Sequence, residues 1–394
     1  LSVVLPRLAA LSLSVALVVG AATARARPID LRRAQVGDGG VTAALGPGAQ
    51  PVRLTLDPAL QRAAERLLSR SGAHEGAIVA SDVRTGRILA WASRGDRDYV
   101  VTPFAPSASL FKLVTATSLL EGGSVRPETR VCYEGGEHGI TPRDLVARLG
   151  SGAACLPFRQ ALGRSINLVF ARLTKEYLEA AELRQMAAVL GFSGVVPIDV
   201  PVGPSSVLLS SDPFELARAA AGFWNGKLSP LGALFAMQTI ARGGERLPFS
   251  LLASTPPRAA TGRAMSAATA ATLRKMLEVT TRSGTCARAF RHADGRRALP
   301  DVSVAAKTGT LIGGKPTRMF SWFTAFAPST RPEVAVAVML GNDLVWRTKA
   351  NVVGRDLLEA YFAHDKGGGA VAKRGGTAAK RGGPVAKKAA LRRP

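Results

Sequence analysis

Around residues 51–100 the apolar positions change their period. Leu54 and Leu56 alternate with polar neighbours as in a short strand. Asp57 then stands as an N-cap with Pro58 at the first helical position, so a helix is expected over the following residues. Next come GAIVASDV and GRILAWAS, two β-rich runs on either side of Arg84-Thr85-Gly86, the pattern of a hairpin. A long helical stretch follows, from Ser109 to about Met276. Within it, SSDPFELARAAAGFWNG shows a cap at Asp212, proline at 213 and Glu215 at the third helical position. Strand patterns return as VSVAAKTGT, MFSWFTAFAP and EVAVAVMLGN, and the amphipathic run RTKANVVGRDLLEAYF closes the series. Strands at both ends thus embrace a helical insertion. The expected fold is α/β of the α+β kind: one antiparallel sheet formed from both ends of the domain, flanked by helices, with an all-helical lobe beside it. An active site belongs in the cleft between sheet and lobe.

The flanks read differently. Residues 27–50 show no periodicity and are expected to be a linker. After Arg7 comes LAALSLSVALVVGAATARA, an apolar stretch of about 14 residues, short of the roughly 20 that a membrane helix needs. Ala22-Thr23-Ala24, or Ala24-Arg25-Ala26, would serve as a cleavage site, so residues 1–26 read as a secretory signal peptide, with an uncleaved anchor as the alternative. Either places the body outside the cytoplasm, exported to a periplasmic or other extracytoplasmic space. The domain is expected over 51–365. Beyond Asp365 there is no acid, while Lys366, Lys373, Arg374, Lys380, Arg381, Lys387, Lys388, Arg392 and Arg393 follow, in heptads AVAKRGG, TAAKRGG and PVAKKAA. Residues 366–394 are therefore expected to be a disordered polycation, a tether to an anionic wall polymer or membrane surface or a solubilising tail. The formal net charge of +24 suits a polyanionic neighbourhood. A nucleic-acid partner conflicts with the export signal.

Three cysteines fit an oxidising compartment. Cys132 and Cys155 flank a Gly-rich insert that a disulfide would close; two unpaired small side chains are the alternative. Cys286 is left over as a buried apolar residue. His74, His138, His292 and His364 share no metal-ligand spacing, so no metal is expected. Nor does the chain show a cofactor motif: EGGEHG and LIGGKP lack the strand–loop–helix setting of a phosphate cradle.

The chemistry lies in three short motifs. Ser109 and Lys112, in SASLFK, stand three apart at the head of an apolar helical run, and i and i+3 share a helix face. A serine attacks only after losing its proton, and a lysine removes that proton only if burial or a neighbouring cation lowers its pKa. Alone, S-x-x-K is a common surface pattern. Ser165-Ile166-Asn167 and Lys307-Thr308-Gly309-Thr310 change that, because each motif occurs once and in the order S-x-x-K, S-x-N, K-T-G.

With this set the sequence resembles the penicillin-recognising serine enzymes, and more closely the transpeptidase domain of penicillin-binding proteins. The resemblance covers about residues 50–365, including LTLDPALQ, GAIVASDVRTGRILAWAS and RSGTCARAF; no glycosyltransferase domain is expected ahead of it. One departure is Ala108, where many relatives have glycine before the nucleophile. The resemblance implies that Ser109 attacks a D-Ala-D-Ala peptide bond of a peptidoglycan stem peptide and forms an acyl-enzyme. It makes Lys112 the base, kept neutral by desolvation and by Lys307, and Ser165 the proton relay to the leaving D-Ala. Asn167 would hold the substrate amide. Lys307, Thr308 and Thr310 would bind the terminal carboxylate, and Gly309 would leave the strand edge open for the peptide. The backbone N–H groups of Ser109 and Thr310 would form the oxyanion hole, and β-lactams would be covalent inhibitors. A hydrolase of the same fold, either D,D-carboxypeptidase or β-lactamase, and a non-catalytic wall-binding protein are the other readings. A class A β-lactamase needs a carboxylate beyond S-x-N to activate water. Asp212 and Glu215 are explained as a helix cap and Asp199 as a loop residue, while class D enzymes usually carry valine where Asn167 stands. Slow deacylation and transfer to an amine are therefore expected.

Overall fold

The computed structural model describes residues 30–372 except 47, 136–138, 147–149, 151, 224 and 346, with side chains as far as residue 364. The export segment expected at 1–26 and His138 lie outside the described residues.

Residues 27–50 were expected as a linker, and their described part is folded. Strands β1 (Gln35–Gly37), β2 (Gly40–Ala43) and β3 (Val52–Arg53) form a small antiparallel sheet. Val41 is fully buried and Leu31 nearly so, in the cluster that holds Tyr99 and Val100. Leu31 N–H donates to the Asp98 carboxylate at 2.9 Å. Such short strands show no local period because their burial comes from residues distant in sequence.

Helix α1 (Pro58–Arg70) begins as the capping pattern predicts, with Asp57 Oδ1 accepting from Leu60 N–H at 2.7 Å. β4 (Glu75–Asp82) and β5 (Ile88–Arg94) are the expected hairpin. Its turn is set by Asp82, which accepts from Thr85 N–H and Oγ1–H, and by Gly86 at φ 73°, where a Cβ would lie 2.6 Å from Pro248 O.

The lobe comprises α2 (Lys112–Glu121), β6 (Arg130–Tyr133), β7 (Ala154–Pro157), α3 (Phe158–Arg164), α4 (Asn167–Tyr177), α5 (Ala180–Val189), β8 (Ser206–Val207), α6 (Pro213–Ala220), β9 (Gly226–Lys227), α7 (Pro230–Ala241) and α8 (Ala267–Arg282). It is not wholly helical: β6 pairs with β7, and β8 with β9. Cys132 and Cys155 stand opposite each other across β6 and β7 and are joined as a disulfide. The Asp212 cap of α6 accepts from Phe214 and Glu215 N–H groups, as its sequence predicts.

The last third of the chain supplies β10 (Ala305–Gly313), β11 (Arg318–Ala327), β12 (Val334–Asn342) and helix α9 (Ala350–Ala372). The main sheet has the order β10-β11-β12-β4-β5, antiparallel throughout, so both ends of the chain meet at β12 and β4. Its two faces are both covered, which makes EVAVAVMLGN a continuous apolar run rather than an alternating one. On one side the lobe packs; on the other lie α1 and α9. Gly354 lets α9 seat on the sheet, since a Cβ there would fall 2.1 Å from Phe323 Cδ1. The helix runs to Ala372, so the first residues of the stretch expected as a disordered tail are helical. Once α9 is nucleated by its core-facing turns, further residues need only propagation. The rest of the tail lies outside the described residues.

Candidate active site

Ser109 sits on a 3₁₀ turn, Ala108–Phe111, that runs directly into α2. The turn is held from outside: Trp322 Nε1 donates to Pro106 O at 2.8 Å, and Ser107 Oγ to Asn225 Oδ1 at 3.0 Å. Ala108 adopts φ 49°, a left-handed conformation that costs an L-residue about 1–2 kcal/mol. This accounts for the glycine expected there in relatives. Two glycines let the turn fit between lobe and sheet. A Cβ on Gly222 would lie 2.6 Å from Ala108 O, and one on Gly309 would lie 3.2 Å from Ala108 Cβ and 3.4 Å from Ser109 N. Gly309 thus allows β10 to press against the residue that precedes Ser109.

Lys112 begins α2 and has no exposed surface. Its Nζ is 2.9 Å from Ser109 Oγ and 2.7 Å from Asn167 Oδ1, and it also bonds Ala221 O. Burial first, and the charge of Lys307 second, hold its pKa well below that of an ordinary lysine. The neutral amine has two N–H donors and one lone pair. Asn167 Oδ1 and Ala221 O can only accept, so they take both donors and leave the lone pair for the Ser109 hydroxyl proton. The three partners therefore fix the direction in which that proton can move.

Ser165 occupies the junction of α3 and α4, at φ 59°, and Asn167 is the first residue of α4. The spacing S-x-N spans this break, which turns both side chains toward the cleft. Lys307 lies in β10, with no exposed surface; its Nζ donates to Ser165 Oγ and to Thr308 O, both at 2.8 Å. Burial pulls its pKa down to about 7. The three motifs are therefore one connected set: Ser109 to Lys112 to Asn167, and Ser165 to Lys307.

These groups open on a cleft of about 310 Å³ between β10 and the lobe, lined by Ser109, Ser165, Asn167, Thr308, Gly309 and Thr310. Its charged lining residues are Arg164 and Lys349, and no Asp or Glu lines it among the described residues. The carboxylates weighed as water activators are engaged elsewhere. Asp199 accepts from Leu251 N–H at 2.8 Å, Leu252 N–H at 3.1 Å and Thr255 Oγ1 at 2.5 Å, which ties two loops together. Asp212 caps α6, and Glu215 pairs with Arg218 at 3.1 Å.

Three participants were not singled out from sequence. Ala221 O orients Lys112 through a backbone atom that carries no residue signature. Arg164 lines the cleft next to Ser165. Thr285 Oγ1 bonds Thr308 Oγ1 at 2.5 Å, and Thr285 N–H donates to Gly163 O at 3.2 Å. Thr285 falls in RSGTCARAF, so the stretch was visible while its hydroxyl went unnoticed. Cys286 is buried, and burial pushes its thiol up to about 12. No group of three or more His, Cys, Asp or Glu able to hold a metal occurs among the described residues.

Comparison with known proteins follows the same outline. The penicillin binding protein transpeptidase domain matches residues 76–358. The peptidoglycan D,D-transpeptidase PbpA of Mycobacterium tuberculosis is 27% identical, over 78% of this chain and 72% of its own. Its namesake in Mycolicibacterium smegmatis is 27% identical, over 73% and 67%. The crystal structure of PBPA from M. tuberculosis superposes with a TM-score of 0.66 at 24% identity, covering 79% of this chain and 82% of that one. The transpeptidase domain of Burkholderia pseudomallei penicillin-binding protein 3 gives 0.66 at 21% identity, over 82% and 98%.

Proposed function

The chain belongs to the penicillin binding protein transpeptidase domain family, and from that membership we propose that it is a serine D,D-transpeptidase of peptidoglycan with Ser109 as nucleophile. The donor is a stem peptide ending in D-Ala-D-Ala. The observation that carries the assignment of residues is the buried contact of Lys112 Nζ with Ser109 Oγ, Asn167 Oδ1 and Ala221 O.

The reaction proceeds in two halves. Lys112, neutral because it is buried beside Lys307, takes the Ser109 proton as Oγ attacks the penultimate carbonyl. The N–H groups of Ser109 and Thr310 receive the developing oxyanion, each lowering the barrier by about 3–4 kcal/mol. Lys307, Thr308 and Thr310 hold the terminal carboxylate; Thr285 orients the Thr308 hydroxyl through their shared hydrogen bond. As the C–N bond breaks, Ser165, in contact with Lys307, gives its hydroxyl proton to the departing D-Ala nitrogen and receives in turn the proton that Lys112 took from Ser109. An amine then attacks the Ser109 ester, and the same groups act in reverse. With no carboxylate lining the cleft among the described residues, water lacks a base of the kind a class A β-lactamase supplies. That favours transfer over hydrolysis. A β-lactam follows only the first half and stays attached.

Relatives named as acting on peptidoglycan support an extracytoplasmic site of action. The N-terminal apolar segment would serve as signal peptide or anchor, and the basic residues after Asp365 as a tether to an anionic wall or membrane surface. Among the described residues no helix is long and apolar enough to cross a membrane.

The test is intact mass after benzylpenicillin. A single adduct is expected, mapping to Ser109 and absent in Ser109→Ala; an adduct that persists in the variant would refute the assignment.

A further inference from the structure

A second cavity, of about 300 Å³, opens where the end of α8 meets the loop that leads into β10. It shares no lining residue with the catalytic cleft. Its floor is apolar: Phe290, Ala298 and Val304 are buried there, with Leu299 and Val302 beside them. Its polar rim is cationic. Arg282, Arg291 and Arg297 line it against a single carboxylate, Asp301.

All three arginines are solvent-exposed, at the mouth of the cavity. Arg291 and Arg297 stand directly opposite each other in an antiparallel bridge, and like charges so placed destabilise a strand pair. The nearest acid in the turn, Asp294, is held by Arg296 at 2.6 Å. Arg282 is paired with Glu278 at 2.9 Å. Arg291 reaches only Gly295 O, at 3.4 Å, and Arg297 has no ion-pair partner among the described residues. Leu299, on the floor, is one of the few non-glycine residues at positive φ, at 53°. Arginines that line the mouth of a cavity with an apolar floor match one chemistry well: a dianionic oxyanion carried on an apolar body, because guanidinium forks bind phosphate through paired N–H···O bonds.

The cavity is also joined to the catalytic cleft through one short segment. Thr281 Oγ1 donates to Val304 O at 2.9 Å, beside the start of β10. Arg282 lines the cavity, and Thr285, three residues on, lines the cleft and bonds Thr308. Between them Gly284 is pressed against Gly163, where a Cβ would fall 2.2 Å from Gly163 O, so the segment has little room to move alone. A backbone shift at Arg282 would therefore be passed to Thr285 or to the Gly163–Ser165 turn.

We propose that this cavity is a binding site for an organic phosphate monoester, and that its occupancy alters acylation of Ser109 through residues 281–285. The site stands on its own geometry and does not depend on the identity of the peptide donor. Phenyl phosphate is the probe, with benzoate as the carboxylate counterpart, both titrated by calorimetry into the full chain at constant ionic strength. Phenyl phosphate should bind one to one, and more tightly than benzoate. Arg291→Gln and Arg297→Gln should each weaken it about tenfold, as expected for loss of a hydrogen bond to a charged group. Saturating phenyl phosphate should also change the rate constant of benzylpenicillin acylation in the wild type and leave it unchanged in the double variant. If millimolar phenyl phosphate does not bind, or binds the double variant equally well, the site is refuted. Benzoate binding as tightly would overturn the choice of phosphate, and an unchanged acylation rate would overturn the coupling. Thermal melting of both variants near the wild-type temperature establishes that lost binding is not lost folding.

Discussion

Along β12, Val334, Val336, Val338 and Leu340 join the cluster under α1 and α9, while Ala335, Ala337 and Met339 join the cluster under the lobe. The first face is an apolar layer completed by Leu60, Leu68, Leu357 and Leu358. The second carries the sheet's Lys307 opposite Lys112 of α2, two lysines with no exposed surface at all. One side of the sheet is built for cohesion. The other accepts an electrostatic cost, since removing an ammonium from water without a counter-charge is expensive and the group instead gives up its proton. The difference teaches that the burial which only stabilises one face lowers the proton affinity of both lysines on the other.

Substitutions on the two faces should separate these uses. The largest effect is expected for Lys112→Met, which keeps the volume and removes the amine. Its benzylpenicillin acylation rate constant should fall by about 10²–10⁴, the usual worth of a positioned general base. Its melting temperature should stay near that of the wild type, because relief of the amine's burial offsets the loss of its hydrogen bonds to Asn167 Oδ1 and Ala221 O. A variant that stays active would show that another group takes the proton. On the opposite face, Leu357→Ala should cost about 2–5 kcal/mol in urea unfolding and leave acylation of the folded protein unchanged. Loss of acylation without loss of stability would break the division between the faces. The smallest effect is expected at Ala108. Relief of its left-handed backbone, less the added chain entropy of glycine, should make Ala108→Gly more stable by about 0.5–1 kcal/mol; a destabilised variant would mean that the Ala108 methyl, packed close to the Gly309 position, is worth more than the strain.

Much of this was legible in the sequence, for identifiable reasons. The strands of the apolar face announce themselves because each residue from Val334 to Leu340 is buried on one side or the other. The caps at Asp57 and Asp212 act within three residues, and local chemistry predicts them. The three motifs were readable because each carries its reactive groups at a fixed spacing. What escaped depends on partners distant in the chain. Ala221 O is a backbone atom, the strands at 35–43 owe their burial to residues near 100, and Thr285 gains meaning only when α8 is seated beside β10. The left-handed Ala108 was foreshadowed only by the absence of the glycine that would fit it more easily.

The central claim is that Lys112 is an amine, not an ammonium, when Ser109 attacks. The pH dependence of the second-order rate constant for benzylpenicillin acylation tests it most directly. Lys112 is depressed well below the ordinary value of 10.5, so the base should already be available at neutral pH. Lys307 loses its charge as the pH rises through about 7, and with it part of the hold on the ligand's carboxylate. The rate constant should therefore reach its maximum near neutrality and decline above it. A rate constant that climbs steadily toward pH 10 would show a lysine with its normal affinity for the proton, and would contradict the account.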